Sequence, residues 1–190
     1  RLLELRSEYF PVVFTIDSIG TPRPKRYTNP PAGKRLEKNA LITSEVNAIL
    51  GAQLTQVCQP ILLGDIPSEW KPVIELQKEV YEAGLELLKP GTTFEALKNF
   101  VNGFGEKRKM KTLIQMHGCG YGDDGPLLSP RFHGDYLRDL RIEEDNAFVW
   151  KPIAMTADGR IQFAWGGPVL VTANGAEALF KRQHGMVSIT

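Results

Sequence analysis

Apolar residues in the middle of the chain recur at the three- and four-residue spacing of an amphipathic helix. This spacing predicts a first helix over residues 68–89, with Ser68 as its N-cap and Pro90-Gly91 as its end. A second helix is predicted to follow at once, because Thr92-Thr93-Phe94-Glu95 has the pattern of a capping box. Its expected buried positions are Phe94, Leu97, Val101 and Phe104. The charged run at 106–109 is interpreted as its solvated end.

Elsewhere, short apolar runs bounded by glycine, proline and polar residues predict β-strands. The predicted strands cover residues 12–16, 40–48, 54–63, 112–117, 147–155, 160–165, 168–172 and 186–189. Ala157-Asp158-Gly159-Arg160 and Ala173-Asn174-Gly175 are predicted to be tight turns. The stretches 20–33 and 123–145 are predicted to be long loops. Helices grouped between runs of antiparallel strands favour an α+β domain with helices packed on one face of a sheet.

Composition and charge exclude several classes of function. A chain of 190 residues, 42% hydrophobic and 24% charged, suits one globular domain with a sizeable core. Its net charge is +1, from 23 basic and 22 acidic residues, so nothing in its electrostatics favours nucleic acid or a membrane surface as a partner. The longest apolar runs are too short to span a bilayer. Cys58 and Cys119 are too few for a disulfide framework, so we expect a reduced, cytoplasmic setting.

Five short motifs follow one another along residues 10–190. They are Leu41-Ile42-Thr43-Ser44-Glu45 followed by Gly51, Gln56 and Gly64; the helical stretch 81–91; Met116-His117-Gly118-Cys119-Gly120-Tyr121-Gly122; Phe148-Val149-Trp150-Lys151-Pro152; and the stretch 169–179. In this order they resemble the pita-bread hydrolases, which include methionine aminopeptidase, aminopeptidase P, prolidase and creatinase. The resemblance implies a pita-bread α+β fold over residues 1–190, with a curved antiparallel sheet and helices on one face. It also implies that the opening helix and any N-terminal creatinase-type domain are absent.

The same resemblance implies a set of metal-ligand positions. Such enzymes hold two divalent cations between two aspartates, one histidine and two glutamates, since hard oxygen ligands can bridge both cations. The corresponding positions here are Glu45, Gln56, His117, Lys151 and Gly166. One carboxylate and one imidazole remain, and the Lys151 ammonium would repel a cation. We therefore expect no metal site and no cofactor.

The charges at these positions suggest what replaced the cations. Lys151 would supply positive charge and Glu45 would pair with it, because a buried charge needs a partner. Creatinase hydrolyses its substrate on this fold without a metal, so Lys151 could polarise a carbonyl while His117 acts as a general base. The predicted catalytic residues are therefore His117, Lys151 and Glu45. Two alternatives stay open, a structural ion pair in an inactive site and metal binding by shifted ligands.

Three further positions are predicted to bind substrate. They are Arg26, Gln56 and Asp124. Arg26 belongs to a basic loop with Arg23 and Lys25, where relatives place a substrate-contacting histidine, and these cations could recognise a carboxylate or phosphate. Asp124 follows the His-Gly-x-Gly motif and could bind a cationic group, although a solvated turn is the simpler interpretation.

The remaining histidines and cysteine near the motif are expected to have other roles. His133 is interpreted as a surface residue and His184 as a structural one. Cys119 shares a strand face with His117, as residues two apart do, but relatives carry a small apolar residue there. We therefore do not include Cys119 among the predicted catalytic residues.

The sequence leaves three functions open. The first is a metal-independent hydrolase of the Xaa-Pro aminopeptidase or creatinase type, acting on a small amide or amino-acid-like substrate. The second is an inactive pseudopeptidase that serves as a binding module, and the third is a lyase acting on a small zwitterion. The expected partner is a small molecule or peptide, with no nucleic acid and no membrane. A homodimer is also expected, because a missing opening helix would expose apolar sheet surface.

Overall fold

The computed structural model describes residues 13–20, 35–121, 123–130 and 135–190. Two α-helices and three short 3-10 turns lie in these ranges: α1 (Lys71–Leu87), α2 (Phe94–Gly103), Ser68–Trp70, Glu106–Arg108 and Asp135–Leu137. The strands are β1 (Val13–Ser18), β2 (Ala40–Leu50), β3 (Gln53–Cys58), β4 (Ile61–Leu63), β5 (Lys111–Leu113), β6 (Met116–Cys119), β7 (Asp123–Leu128), β8 (Ala147–Trp150), β9 (Ile153–Met155), β10 (Gln162–Ala164), β11 (Gly167–Thr172), β12 (Gly175–Ala178) and β13 (Val187–Ile189).

The strands of the described residues form three sheets. The first has the order β1-β2-β4-β13 with β3 paired to β2, the second β10-β9-β5, and the third β12-β11-β8-β6-β7. Strand β13 pairs with β4 in parallel, whereas the other pairings in these sheets are antiparallel. Along the sequence, both α-helices come after β4 and before β5. This arrangement confirms the predicted α+β class.

Helix α1 is packed against the strands along the apolar face that its periodicity predicts. Val73, Leu76 and Val80 are buried, and the helix contacts β9, β10 and β12. At Gly84 the helix comes so close to the sheet that a Cβ atom would collide with the Trp150 indole ring. Glycine at this position therefore allows the close contact of helix and sheet that α1 makes.

Both helices start at different residues from those predicted. Ser68 is not an N-cap, because it lies inside a 3-10 turn that follows Pro67, and α1 begins three residues later at Lys71. Helix α2 is capped by Thr93, whose Oγ1 accepts a hydrogen bond from the Ala96 backbone N–H at 3.1 Å. The cap is thus one residue beyond the start of the predicted capping box.

Three predicted strands are each divided in two. The run 54–63 breaks at Gln59-Pro60, 112–117 breaks at Ile114-Gln115, and 147–155 breaks at Lys151-Pro152. Two of these breaks contain a proline, which cannot donate a hydrogen bond to a neighbouring strand. The prediction of a loop over residues 123–145 is wrong at its start, because strand β7 forms there and pairs with β6. Strand β12 after the Asn174-Gly175 turn was also not predicted.

One continuous apolar core joins α1, α2 and the third sheet. Its largest fully buried apolar side chains are Trp150, Phe163, Leu62, Leu76, Leu88, Leu97, Met116, Leu128 and Ile142. Among the described residues, no helix is both long enough and apolar enough to cross a membrane. The cytoplasmic setting and the homodimer stay predictions, and light scattering in solution would test the second.

Candidate functional site

Four of the predicted site residues come together, two from the first sheet and two from the third. Glu45 lies on β2 and Gln56 on the neighbouring β3, where Asn47 is the direct partner of Gln56. Because side chains alternate across a strand, Glu45 and Gln56 point to the same face. His117 lies on β6, and Lys151 directly follows β8, the strand paired with β6.

The Lys151 ammonium is buried and paired. Its Nζ donates a hydrogen bond to Glu45 Oε1 at 2.6 Å and a second one to Gln56 Oε1. The Lys151 side chain is 3% exposed and that of Glu45 15%. Burial of two charges costs several kcal/mol per ion, so the close pairing is what makes this position tolerable for lysine. The expected contact between Lys151 and Glu45 is thus present, while their catalytic roles stay predictions.

His117 is held between the backbone and Gln56. Its Nδ1 lies 2.9 Å from the Gly118 carbonyl oxygen, and its Nε2 lies 3.3 Å from Gln56 Oε1. Both oxygens can only accept, so a neutral imidazole donates a hydrogen bond to one of them and a doubly protonated imidazole donates to both. The Gln56 amide oxygen has two lone pairs, so it can accept from Lys151 Nζ and from an Nε2–H of His117 at the same time.

The donor groups at this centre do not suit a divalent cation. Glu45 and His117 are separated by Gln56 and by the Lys151 ammonium, which already bonds to the Glu45 carboxylate. Within the described ranges, no cluster of three or more His, Cys, Asp or Glu side chains could hold a metal. A two-metal site needs several anionic ligands. The chemistry of these side chains therefore disagrees with the metal centre that the resemblance implies.

Gly166, which the sequence resemblance aligns with the second glutamate, has no room for a side chain. Its φ is +156°, and a Cβ there would collide with the Trp150 carbonyl oxygen and lie 2.8 Å from Lys151 Cα. The residue forms an isolated bridge with Cys58, so β3 and the start of β11 approach each other closely at this point. A carboxylate could be introduced at position 166 only if the backbone moved.

The described part of the structure shows no side-chain contacts of the remaining predicted site residues. Arg26, together with Arg23 and Lys25, lies outside the described residues, and so does His133. Asp124 is in strand β7 rather than a loop, and its backbone pairs with Gly118 beside His117. The side chain of Asp124 lies outside the described part of the structure. The assignment of Arg26 and Asp124 to substrate binding stays a prediction.

A second polar network, which was not predicted, surrounds Arg182. Its NH1 donates to Gln59 Oε1 at 3.0 Å, and its NH2 donates to the carbonyl oxygens of Gly166 at 3.2 Å and Cys58 at 3.5 Å. The guanidinium carbon lies 5.8 Å from the Trp165 ring centroid and 5.2 Å from that of Phe180. Burial lowers the pKa of Arg182. The Arg182 side chain thus lies beside Gly166, on which Lys151 also packs.

His184 belongs to this second network. Its Nε2 is 2.5 Å from Gln77 Oε1, and its ring is 4.5 Å from that of Trp165. Gln77 in turn donates to the backbone carbonyls of Pro152 and Trp165. Burial, with a smaller contribution from Lys78, lowers the pKa of His184 to about 4. The ring is therefore neutral at neutral pH and donates its Nε2 proton to Gln77.

Solved structures with a similar arrangement of strands and helices include aminopeptidases and prolidases. No protein-family model matches the chain. It is 21% identical to the chloroplastic methionine aminopeptidase 1B of Arabidopsis thaliana over 80% of this chain and 45% of that protein. The X-Pro aminopeptidase of Thermotoga maritima has a similar structure, with a TM-score of 0.75 and 17% identity over 95% of this chain and 49% of that one.

Two further solved structures agree with that likeness. The methionine aminopeptidase of Rickettsia prowazekii gives a TM-score of 0.66 at 18% identity, over 87% of this chain and 72% of that one. The prolidase of Pyrococcus horikoshii gives 0.71 at 16% identity, over 94% and 49%. The chain thus has the pita-bread fold of the aminopeptidases and prolidases, as the sequence motifs predicted. It spans about half the length of the aminopeptidases from Arabidopsis thaliana and Thermotoga maritima.

Proposed function

We propose that this pita-bread domain is a catalytically inactive pseudopeptidase that works without metal and acts by binding a peptide or small molecule. One observation carries the proposal: the side chains around Lys151 contact one another in a closed network. Lys151 bonds to Glu45 and Gln56, and Gln56 contacts His117. Lys151, Gln56 and His117 are each 3% exposed. A substrate would have to displace these contacts before it reached the centre.

Charge compensation is the second reason to favour an inactive centre. A cation stabilises a developing oxyanion less when a nearby anion already balances the charge of the cation. Here the Glu45 carboxylate lies 2.6 Å from the Lys151 ammonium, which weakens the field that a substrate carbonyl would experience. The closed network therefore favours a structural role for the four side chains.

A metal-independent amide hydrolase is the second candidate, and the contacts of Gln56 favour it. Its carboxamide oxygen accepts from Lys151 and faces His117 Nε2, which is the environment that a hydrolysed amide carbonyl needs. If Gln56 moved aside, His117 Nε2 would take a proton from water while the hydroxide attacked the carbonyl carbon. Lys151 would stabilise the resulting oxyanion, and His117 would return the proton to the leaving amine.

One pair of measurements on the purified protein separates the two candidates. Elemental analysis is expected to find less than one transition metal per chain. We expect the native protein to hydrolyse test substrates no faster than the His117→Ala variant does. The substrates are small amides and dipeptides with N-terminal methionine or C-terminal proline. Turnover that is lost in both His117→Ala and Lys151→Met would establish the hydrolase instead. One or two tightly bound metals per chain would overturn both candidates.

Binding is tested separately by thermal unfolding with the same compounds. A ligand that prefers the native state raises the unfolding midpoint, and about 100 Kd of ligand stabilises by about 2.7 kcal/mol. We expect at least one class of dipeptide or small zwitterion to raise the midpoint without being consumed. No shift with any peptide or zwitterion at millimolar concentration would contradict the binding role.

A further inference from the structure

Two hydrogen-bond donors in the second network have no acceptor among the described residues. They are Arg182 Nε and the Tyr81 hydroxyl, and both atoms are buried. Tyr81 is 5% exposed. A buried donor that lacks an acceptor costs about 1–3 kcal/mol, and more when it is charged. An added acceptor would therefore stabilise either donor.

The two donors belong to side chains that pack on the same ring. The Tyr81 ring centroid is 5.0 Å from that of Trp165, and the Arg182 guanidinium carbon is 5.8 Å from the same ring. The charge of Arg182 also lowers the pKa of Tyr81, although burial raises it more strongly. Tyr81 and Arg182 are thus close enough to interact electrostatically.

Among the described residues, no carboxylate pairs with Arg182. Its other nitrogens bond to neutral groups, namely the Gln59 amide and the carbonyls of Gly166 and Cys58. No ion pair of Arg182 occurs within the described ranges. A water molecule could accept both hydrogen bonds but would leave the guanidinium charge unchanged. An anion would satisfy the hydrogen bonds and the charge together.

We propose that Arg182 Nε and the Tyr81 hydroxyl bind one small monovalent anion, such as chloride or the carboxylate of formate. A small ligand is required because both donor atoms are buried among aromatic rings. A cation is disfavoured because both groups are donors and one is positively charged. The site is independent of the centre around Lys151, so it does not depend on whether that centre is catalytic.

Thermal unfolding at constant ionic strength tests the site. Sodium formate or chloride is exchanged for the sodium salt of a large anion that cannot enter, such as gluconate. At a tenfold excess over Kd, the unfolding midpoint of the native protein is expected to rise by about 3–6 °C. The Tyr81→Phe variant removes one donor and is expected to lose most of that rise. An equal rise in native protein and Tyr81→Phe, or no rise in either, would overturn the proposal.

Diffraction from bromide-soaked crystals of the native protein gives a second measurement that needs no variant. An anomalous peak within hydrogen-bonding distance of both Arg182 Nε and the Tyr81 hydroxyl is the expected result. Density for water alone at that position, with bromide only at the protein surface, would show that the site holds an internal water and would overturn the proposal. This measurement decides the matter if Tyr81→Phe does not fold.

Discussion

Lys151 and Arg182 are two cations that both contact Gly166, yet their charges are compensated differently. Lys151 is buried against the Glu45 carboxylate at 2.6 Å, whereas Arg182 is held by an amide and two backbone carbonyls. In the first network the opposite charges of Lys151 and Glu45 balance each other. Each of them would be costly to bury without the other. The second network is rich in hydrogen bonds, but no carboxylate in the described part of the chain balances its positive charge. The difference indicates that ligands should act on the second network more readily than on the first.

The largest effect is expected at Gly166, which joins the two networks. In Gly166→Ala the new methyl group would collide with the Trp150 carbonyl and require a backbone angle that alanine disfavours. Overpacking and backbone strain together should lower the free energy of unfolding by about 4 kcal/mol. Urea denaturation measures this. Gly103→Ala is the control, because a methyl group at that helical position meets open space, and its midpoint should stay the same or rise.

The next effect comes from breaking the closed network. Glu45→Gln leaves the Lys151 ammonium buried without a carboxylate, which should cost about 3 kcal/mol of unfolding free energy. Lys151→Met should cost less, because Glu45 is 15% exposed and can contact water or take up a proton. The double variant should be more stable than Glu45→Gln alone. Additive losses in a double-mutant cycle would show that the pair does not stabilise the fold.

The second network should respond to acid through His184. Its pKa is about 4 in the folded chain, below the usual 6.5, so the unfolded chain binds more protons between these values. The stability that a neutral His184 provides is therefore present above pH 6.5 and is lost as the pH falls toward 4. Allowing for solvent screening, the loss should be on the order of 1–2 kcal/mol. Urea midpoints at pH 7 and pH 5 measure it, and His184→Gln should lose less over the same interval.

The smallest effect is expected for an ion pair at the surface. Arg108 donates two hydrogen bonds to Glu79, at 2.9 and 2.7 Å, but the side chains are 44% and 45% exposed. Arg108→Gln should lower the free energy of unfolding by about 0.5 kcal/mol, because water solvates both charges when they separate. A loss as large as that of Glu45→Gln would mean that burial is not what makes the Lys151 pair important.

Hydrophobic periodicity predicted the helices and most strands because each depends on neighbours in sequence. The breaks at Pro60 and Pro152 were harder to place, since a proline can also sit at a strand edge. The contact between Lys151 and Glu45 was predicted because motif positions implied a shared centre. Arg182 was missed because its partners are carbonyls and a glutamine up to 124 residues away, and no spacing in the sequence marks them.

The ion pair between Lys151 and Glu45 also has a consequence for the order of folding. Its partners are 106 residues apart, so a long loop must close before they meet. Until then each charged group stays hydrated. The free-energy cost of dehydrating the two groups is offset only when both strands are in place. Contacts of this kind form late, and they slow the unfolding reaction more than they accelerate folding. The pair is thus expected to slow unfolding. In a plot of rate against denaturant concentration, Glu45→Gln should raise the unfolding rate more than it lowers the folding rate.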